Sequence, residues 1–68
     1  MTELEMANAA GKNLQVTLKN RKTHQGFCRG FTQAIDNDPE IASIAIEDKT
    51  GQLHGYLQTE IESIEVLE

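Results

Sequence analysis

The sequence predicts a small all-β domain with one short N-terminal helix, folded as a strongly bent, five-stranded antiparallel barrel. Three observations lead to this fold class. The chain has 68 residues, which is enough for a single domain over residues 1–68. Its apolar residues recur with a period of two in several short runs, as in half-buried strands. Glycines lie inside the longest run, and glycine within a strand usually marks the bend that a small sheet needs in order to close.

A short helix is predicted over residues 2–11. Thr2 and Glu5 have the spacing of a capping box, in which the Thr2 hydroxyl accepts from the Glu5 N–H and the Glu5 carboxylate accepts from the Thr2 N–H. Gly11 stands where a glycine commonly ends a helix. Because a helix of about two turns is unstable alone, we expect it to pack over one end of the sheet.

The first strand is predicted from strict alternation. Leu14, Val16 and Leu18 alternate with polar residues, which indicates one buried face and one solvated face. The polar residues 20–22 form the turn that follows, and Asn20 is the residue expected to tolerate a left-handed conformation there.

A second, curved strand is predicted over residues 23–31, with bends at its internal glycines. Phe27 and Phe31 share one parity in this strand and are predicted core residues. Cys28 falls on the other parity and is predicted to be a small buried apolar residue.

Three further strands complete the predicted barrel, which spans residues 14–67. An Asp-Asn-Asp-Pro segment precedes the third strand, and an Asp-Lys-Thr-Gly turn separates the third strand from the fourth. On the fourth strand we predict that His54 and Tyr56 point outward. The residues predicted to point inward from the third and fourth strands are Ile44, Ile46, Leu53, Gly55 and Leu57. The fifth strand is predicted to be mostly apolar, with Ile61, Ile64, Val66 and Leu67 interrupted by Glu62 and Glu65.

The formal charge of −5 is unevenly distributed along the chain. Residues 6–35 contain five Lys and Arg residues and no acid, whereas residues 36–68 contain nine acids and one lysine. The two halves can complement each other between strands or subunits, or they can form one solvated surface of mixed charge. The acid-free half also permits a basic patch for RNA phosphate, although the counts do not require one.

The small size of the chain favours association. A chain of this length buries only about 60% of its unfolded surface, and its single cysteine cannot form an internal disulfide. Two histidines and one cysteine are too few for a closed zinc site. We therefore predict a homo-oligomer with no metal and no cofactor.

Since no apolar run reaches the roughly 18 residues of a membrane span and no signal-peptide pattern is visible, we expect a cytoplasmic protein with no membrane partner.

No set of residues predicts catalysis, so we predict no catalytic residues and no enzyme. Cys28 and His24 would lie about 13 Å apart along a strand, too far to share a proton. Asp36 and Asp38 have the spacing that begins a calcium loop, but Ile41 stands where that loop needs a glycine.

Resemblance to a known family covers nearly the whole chain. The string Val16-Thr17-Leu18-Lys19-Asn20-Arg21-Lys22 and the later step Cys28-Arg29-Gly30-Phe31 resemble the first motif of the Sm/Lsm (Hfq-like) family. The segment 57–64 has the hydrophobic spacing of the second motif. Two segments depart from the family pattern. Residues 32–40 replace the segment that carries a uracil-binding Asn, and Gln58-Thr59 replaces an Arg-Gly pair.

The resemblance implies an Sm-like barrel whose fourth strand pairs with the fifth strand of a neighbouring subunit in a ring. The function that it implies is non-catalytic RNA binding. The alternative is a protein–protein interaction module with the same barrel and no RNA, which the Gln58-Thr59 departure and the net acidity favour. The candidate RNA-binding residues are Lys19, Arg21, Lys22, Arg29 and Asn37, and the candidate subunit-interface residues are Tyr56, Leu57, Ile64 and Val66.

Overall fold

The computed structural model describes residues 2–67, which fold into one short α-helix and one antiparallel β-sheet. Single 3-10 turns at Ala34–Asp36 and Gln58–Glu60 connect some of these elements. The helix and strands are α1 (Glu3–Ala9), β1 (Asn13–Leu18), β2 (Thr23–Thr32), β3 (Ser43–Glu47), β4 (Leu53–Leu57) and β5 (Ile61–Val66).

The strand order in the sheet is β4-β3-β2-β1-β5, and every neighbouring pair is antiparallel. The prediction of a mostly β domain with one short helix and five antiparallel strands is therefore confirmed. Within residues 2–67, β4 and β5 do not pair with each other, so the sheet is bent but open between its two edge strands.

The N-terminal helix begins with the predicted capping box. The Glu5 N–H donates to Thr2 Oγ1 at 3.2 Å, and the Thr2 N–H donates to Glu5 Oε1 at 3.0 Å. Gly11 follows the helix with φ of 81°, the left-handed conformation that glycine adopts without steric cost. Met6 and Ala9 are buried and attach the helix to β2 and β5.

The first strand has the predicted alternation, with Leu14, Val16 and Leu18 all buried. In the turn that follows, Arg21 and not Asn20 is left-handed, with φ of 72°. Asn20 instead uses its side chain, since its Oδ1 accepts from the Lys22 N–H at 3.0 Å and closes an Asx-type turn.

A β-bulge divides β2 and changes which residues face the core. Cys28 pairs with Ile46 and the next pair begins at Gly30, so Arg29 is the extra residue. The prediction that Phe27 and Phe31 share a face is therefore wrong. Phe31 packs against the core, whereas Phe27 is half-buried on the outer face. Cys28 is fully buried, as predicted.

The tightest point of the bend is at Gly26. A Cβ atom at this position would lie 2.4 Å from the carbonyl oxygen of Glu47, which belongs to the backbone of β3. Only a residue without a side chain permits this approach of β3 to β2, so the prediction of a bend or close approach at the glycines is confirmed at Gly26.

The predicted faces of β4 are reversed. Tyr56 is 8% exposed, whereas Leu53 is 60% exposed and Gly55 lies on the surface. The cause is the register, because Tyr56 pairs with Ile44 and His54 pairs with Ile46, and both isoleucines point into the core. Residues that lie directly opposite each other share one face of a sheet.

The core lies between the inner face of the sheet and α1. On β5, Ile61 is buried and Ile64 packs against the core, whereas Val66 and the following Leu67 are exposed. The buried core residues are Met6, Ala9, Leu14, Val16, Leu18, Cys28, Ala42, Ile44, Ile46, Tyr56 and Ile61.

Candidate functional site

The outer edge of β4 faces no other strand within residues 2–67. The Gln58 N–H donates to the Ala42 carbonyl at 2.8 Å. Because hydrogen-bonded pairs alternate along an antiparallel ladder, His54 and Tyr56 also direct their backbone N–H and C=O groups to β3. The backbone groups of Leu53, Gly55 and Leu57 therefore point to the free edge. Of these, the Leu57 N–H donates to the Glu60 carboxylate at 3.1 Å, so the end of this edge is partly closed by the chain itself.

The outer edge of β5 is the second free edge of the sheet. The Leu67 N–H donates to the Asn13 carbonyl at 2.9 Å, so Ser63 and Glu65, which continue the same alternation along β5, direct their backbone groups to β1. Ile64 and Val66, which lie opposite Val16 and Leu14, consequently turn their backbone groups to the free edge. Both residues were predicted to lie at a subunit interface.

Three of the four predicted interface residues lie at the free edges of the sheet, and one does not. Leu57, Ile64 and Val66 have backbone groups at the two free edges. Tyr56 does not, because its backbone pairs with β3 and its side chain is buried within its own chain.

The two free edges differ in charge. The strand β4 has no Lys, Arg, Asp or Glu, whereas β5 carries Glu62 and Glu65. Pairing of β5 with another β5 would bring like charges together, but pairing of β4 with β5 would not. A shallow cavity of about 240 Å³ also lies beside the β5 edge, between α1 and the side chains of Ile64 and Val66.

Three of the predicted RNA-binding residues lie together in the hairpin between β1 and β2. Lys19, Arg21 and Lys22 are exposed, and none of them forms an ion pair within residues 2–67. The Leu18 N–H donates to the Lys22 carbonyl at 2.9 Å and fixes the turn. We call Lys19, Arg21 and Lys22 the basic hairpin. An acidic residue is close by, because the Lys19 N–H donates to the Glu60 carbonyl at 2.9 Å.

Arg29, the fourth predicted cation, lies at the β2 bulge, away from the basic hairpin. Its Nε is 3.3 Å from Glu47 Oε1, and its guanidinium carbon is 5.9 Å from the ring centroid of Phe27. The guanidinium charge is therefore balanced by a carboxylate of the same chain.

Asn37 is the remaining predicted RNA-binding residue, and its side chain organises the loop before β3. Its Nδ2 donates to the Ile41 carbonyl and to Ser43 Oγ at 3.1 Å. Because the amide has two N–H groups, both of its donors are used within the loop.

An aromatic and acidic cluster, which the sequence did not reveal, lies where β4 meets the first half of β2. The ring centroids of His24 and Tyr56 are 5.4 Å apart, and those of His24 and His54 are 6.4 Å apart. His54 Nε2 is 2.8 Å from Asp48 Oδ2. The period-two pattern of the leucines in β4 masked this cluster, because it assigned His54 and Tyr56 to the outer face.

Asp48 is the acidic member of this cluster, and the pKa of its carboxyl is strongly lowered. Hydrogen bonds from the Thr50 hydroxyl and from His54, followed by the backbone N–H groups of Gln52 and Thr50, hold the pKa of its carboxyl well below its ordinary value. The pKa of Tyr56 is raised, mainly because its phenol is desolvated by burial and secondarily because Glu60 and Asp48 are negatively charged.

A larger cavity of about 530 Å³ lies against Phe27 and Leu67, with Glu47, Asp48 and Lys49 at its rim. Two carboxylates and one ammonium group line this cavity, and one of the carboxylates, that of Glu47, is already paired with Arg29.

Residues 2–67 contain neither a cluster of metal-ligating side chains nor a helix that could cross a membrane. No three His, Cys, Asp or Glu side chains of residues 2–67 converge as metal ligands would. Among the same residues, no helix has the length and apolar character needed to span a bilayer.

No known protein family, curated protein or solved structure matches this chain.

Proposed function

We propose that this chain is a non-catalytic, Sm-like module that assembles into a homo-oligomeric ring and binds RNA through its basic hairpin. The observation that carries the proposal is the pair of free, dissimilar edges on one small sheet. A strand with unpaired backbone groups is a template for another strand, and an uncharged β4 edge is compatible with an acidic β5 edge on a neighbouring copy.

The geometry favours head-to-tail assembly of this kind. The two free edges lie at opposite ends of the strand order, so each copy offers one edge to each of two neighbours. Repeated heterologous contacts generate a closed ring when the rotation between copies closes. In such a ring both edge strands of each sheet are paired with strands of neighbouring copies, so no sheet edge is left open.

Assembly can be tested by placing proline at the outward backbone positions of β4. Gly55→Pro removes an N–H that points to the free edge and leaves the β3–β4 hydrogen bonds intact. Gly55→Ala is the matched control, because its Cβ would meet no atom within 4 Å and its N–H is retained. Light scattering should give the mass of an oligomer for the native chain and for Gly55→Ala, and a monomer for Gly55→Pro. A monomeric native chain would refute the proposed ring.

RNA binding is supported by the basic hairpin and by the resemblance to the Sm/Lsm family. Its cations have no acidic partner within residues 2–67, so they are available to phosphate groups. Electrophoretic shifts with poly-U, poly-A and total RNA at low salt provide the test. Lys22→Gln should weaken binding severalfold, whereas Lys49→Gln, which causes the same change in net charge in the β3–β4 turn, should not. Absence of any shift at micromolar protein would refute RNA binding.

A second candidate function is a protein–protein interaction module that uses the same fold without RNA. It is favoured by the two predicted RNA-binding residues that have partners within the chain, Arg29 with Glu47 and Asn37 with its own loop. Pull-down from lysate with and without nuclease separates the two functions. A partner that is retained after nuclease treatment supports the protein-interaction module.

A further inference from the structure

Two large apolar side chains outside the sheet are mostly exposed. Leu4 in α1 is 70% exposed, and Ile35 in the single turn Ala34–Asp36 is 73% exposed, more than any other large apolar side chain of residues 2–67. Leu4 lies two residues before the buried Met6, and two residues turn an α-helix by about 200°, so Leu4 points away from the core. Leu4 and Ile35 therefore add little to the burial that stabilises the fold.

A hydrogen bond joins the two segments that carry these side chains. The Ala34 N–H donates to Glu3 Oε2 at 3.2 Å. Leu4 and Ile35 are the next residues along each segment, so the bonds between them keep their Cα atoms within roughly 17 Å of each other. The turn itself is fixed, because the Asn37 N–H donates to the Ala34 carbonyl at 3.1 Å. The two apolar side chains therefore belong to one preorganised surface.

The neighbours of Leu4 and Ile35 along the chain are acidic. Glu3 and Glu5 flank Leu4, and Asp36 follows Ile35. No Lys or Arg side chain of residues 2–67 forms an ion pair with any of these three acids. We call the surface formed by Leu4, Ile35, Glu3, Glu5 and Asp36 the Leu4–Ile35 patch.

This combination of apolar and acidic side chains restricts what can cover the patch. Its carboxylates repel RNA phosphate, and pairing with the same patch of a second copy would bring like charges together. The basic hairpin of a second copy has the complementary charge, but none of residues 19–23 is apolar, so it cannot cover Leu4 or Ile35. The partner that fits is a protein segment that carries cations and apolar side chains together.

We propose that the Leu4–Ile35 patch docks a basic amphipathic segment of another protein. The apolar side chains of the segment cover Leu4 and Ile35, and its Lys and Arg residues face the three acids of the patch. Burial of the apolar side chains supplies affinity, and the opposite charges speed the encounter and orient the segment. The patch uses neither the free sheet edges nor the basic hairpin, so this docking is independent of ring assembly and of RNA binding.

NMR of methyl-labelled leucine and isoleucine tests the docking in the intact chain, monomeric or assembled. The probe is a synthetic helical peptide of lysine and leucine, about 14 residues and hence about 21 Å long, which is enough to span the patch. Titration should shift the methyl resonances of Leu4 and Ile35 to saturation and leave those of Leu53, which is 60% exposed on β4, unchanged. A peptide of the same charge with glutamine in place of leucine should cause much smaller shifts.

Leu4→Gln and Ile35→Gln are the variants that test the apolar contacts, because both side chains are mostly exposed and the core stays intact without them. Each should weaken the affinity for the lysine–leucine peptide, measured by fluorescence anisotropy, by about tenfold, since one apolar contact is lost. Leu53→Gln is the matched control and should bind the peptide as the native chain does. Asp36→Asn should weaken binding severalfold, whereas Glu65→Gln, the same charge change on β5, should not.

Three outcomes would overturn the proposal. The first is the absence of a saturable shift at the methyl groups of Leu4 and Ile35. The second is equal binding of the leucine-free peptide, which would show attraction by net charge alone. The third is that Leu4→Gln and Ile35→Gln bind the probe as tightly as Leu53→Gln. None of these outcomes bears on the tests of ring assembly and RNA binding, which depend on other elements.

Discussion

The rings of His24 and Tyr56 lie with their centroids 5.4 Å apart, although β2 and β4 are separated by β3 in the sheet. Two strands that are not neighbours can touch in this way only if the sheet bends over its own inner face. The bulge after Cys28 and the absence of a side chain at Gly26 permit that bend.

Because of the bend, we expect alanine substitution to reduce stability far more at one glycine of β2 than at the other. Gly26→Ala should destabilise the chain by about 2–3 kcal/mol, because the new Cβ would collide with backbone that cannot rotate away. Gly30→Ala should change stability by less than about 1 kcal/mol, since no atom lies within 4 Å of the added Cβ. Urea unfolding of both variants measures the difference, and equal effects would contradict the close approach at Gly26.

The loop before β3 predicts a structural role for Asn37. Asn37→Ala should lower the free energy of unfolding by about 1–2 kcal/mol, because two hydrogen bonds within the loop are lost. The affinity for RNA should change much less than in Lys22→Gln. A variant that retains full stability but loses RNA binding would show that Asn37 acts on the ligand.

Because the Asp48 carboxylate accepts several hydrogen bonds, we expect the folded chain to lose part of its stability when this group is protonated in acid. The pKa of its carboxyl is lower in the folded chain than in the unfolded chain. The folded state therefore releases this proton more readily, and Asp48 contributes stability at neutral pH. That contribution should disappear as the pH falls below the ordinary range of an aspartate, near 4, towards the lower folded pKa.

Asp48→Asn should consequently be less stable than the native chain at pH 7, and the difference should shrink towards pH 2. Asp38→Asn is the control, because Asp38 lies in an exposed loop and has no hydrogen bond among residues 2–67. Urea unfolding at a series of pH values gives both curves. A difference between Asp48→Asn and the native chain that is constant from pH 7 to pH 2 would argue against the role of this carboxylate.

Because Cys28 is buried, we expect its thiol to react slowly with alkylating reagents. Desolvation raises the pKa of the Cys28 thiol above its ordinary value, and the side chain is fully buried. Alkylation by iodoacetamide at pH 8 should be slow in the native chain and fast in denaturant, as followed by mass spectrometry. In Gly26→Ala the native-state reaction should accelerate, because the destabilised chain opens more often.

Much of the fold could be predicted from local pattern alone. The spacing of Thr2 and Glu5 defines the helix cap, and the alternation of Leu14, Val16 and Leu18 defines a half-buried strand. These features depend on residues close together in the chain, so the sequence contains what is needed to predict them.

The faces of β4 and the bulge in β2 could not be predicted in the same way. Leucines alternate in β4, so local hydrophobicity assigns Leu53 and Leu57 to the core. Tyr56 is buried instead because its register with Ile44 and its contact with His24 place its ring inside. In β2, Arg29 is an extra residue, so Phe27 and Phe31 point to opposite faces of the sheet although an even number of residues separates them. Counting residues along the sequence does not reveal such a bulge.

The sequence by itself determined the class of this protein: a short capped helix followed by five short strands, with its cations concentrated before residue 36 and its acids after. Only the tertiary structure decided which strands lie at the edges, which cations lack a partner, and that two histidines meet a buried tyrosine. Hydrophobic period and capping depend on neighbours in the chain. Strand order, register and ion pairing depend on residues distant in sequence, which come together only when the sheet bends.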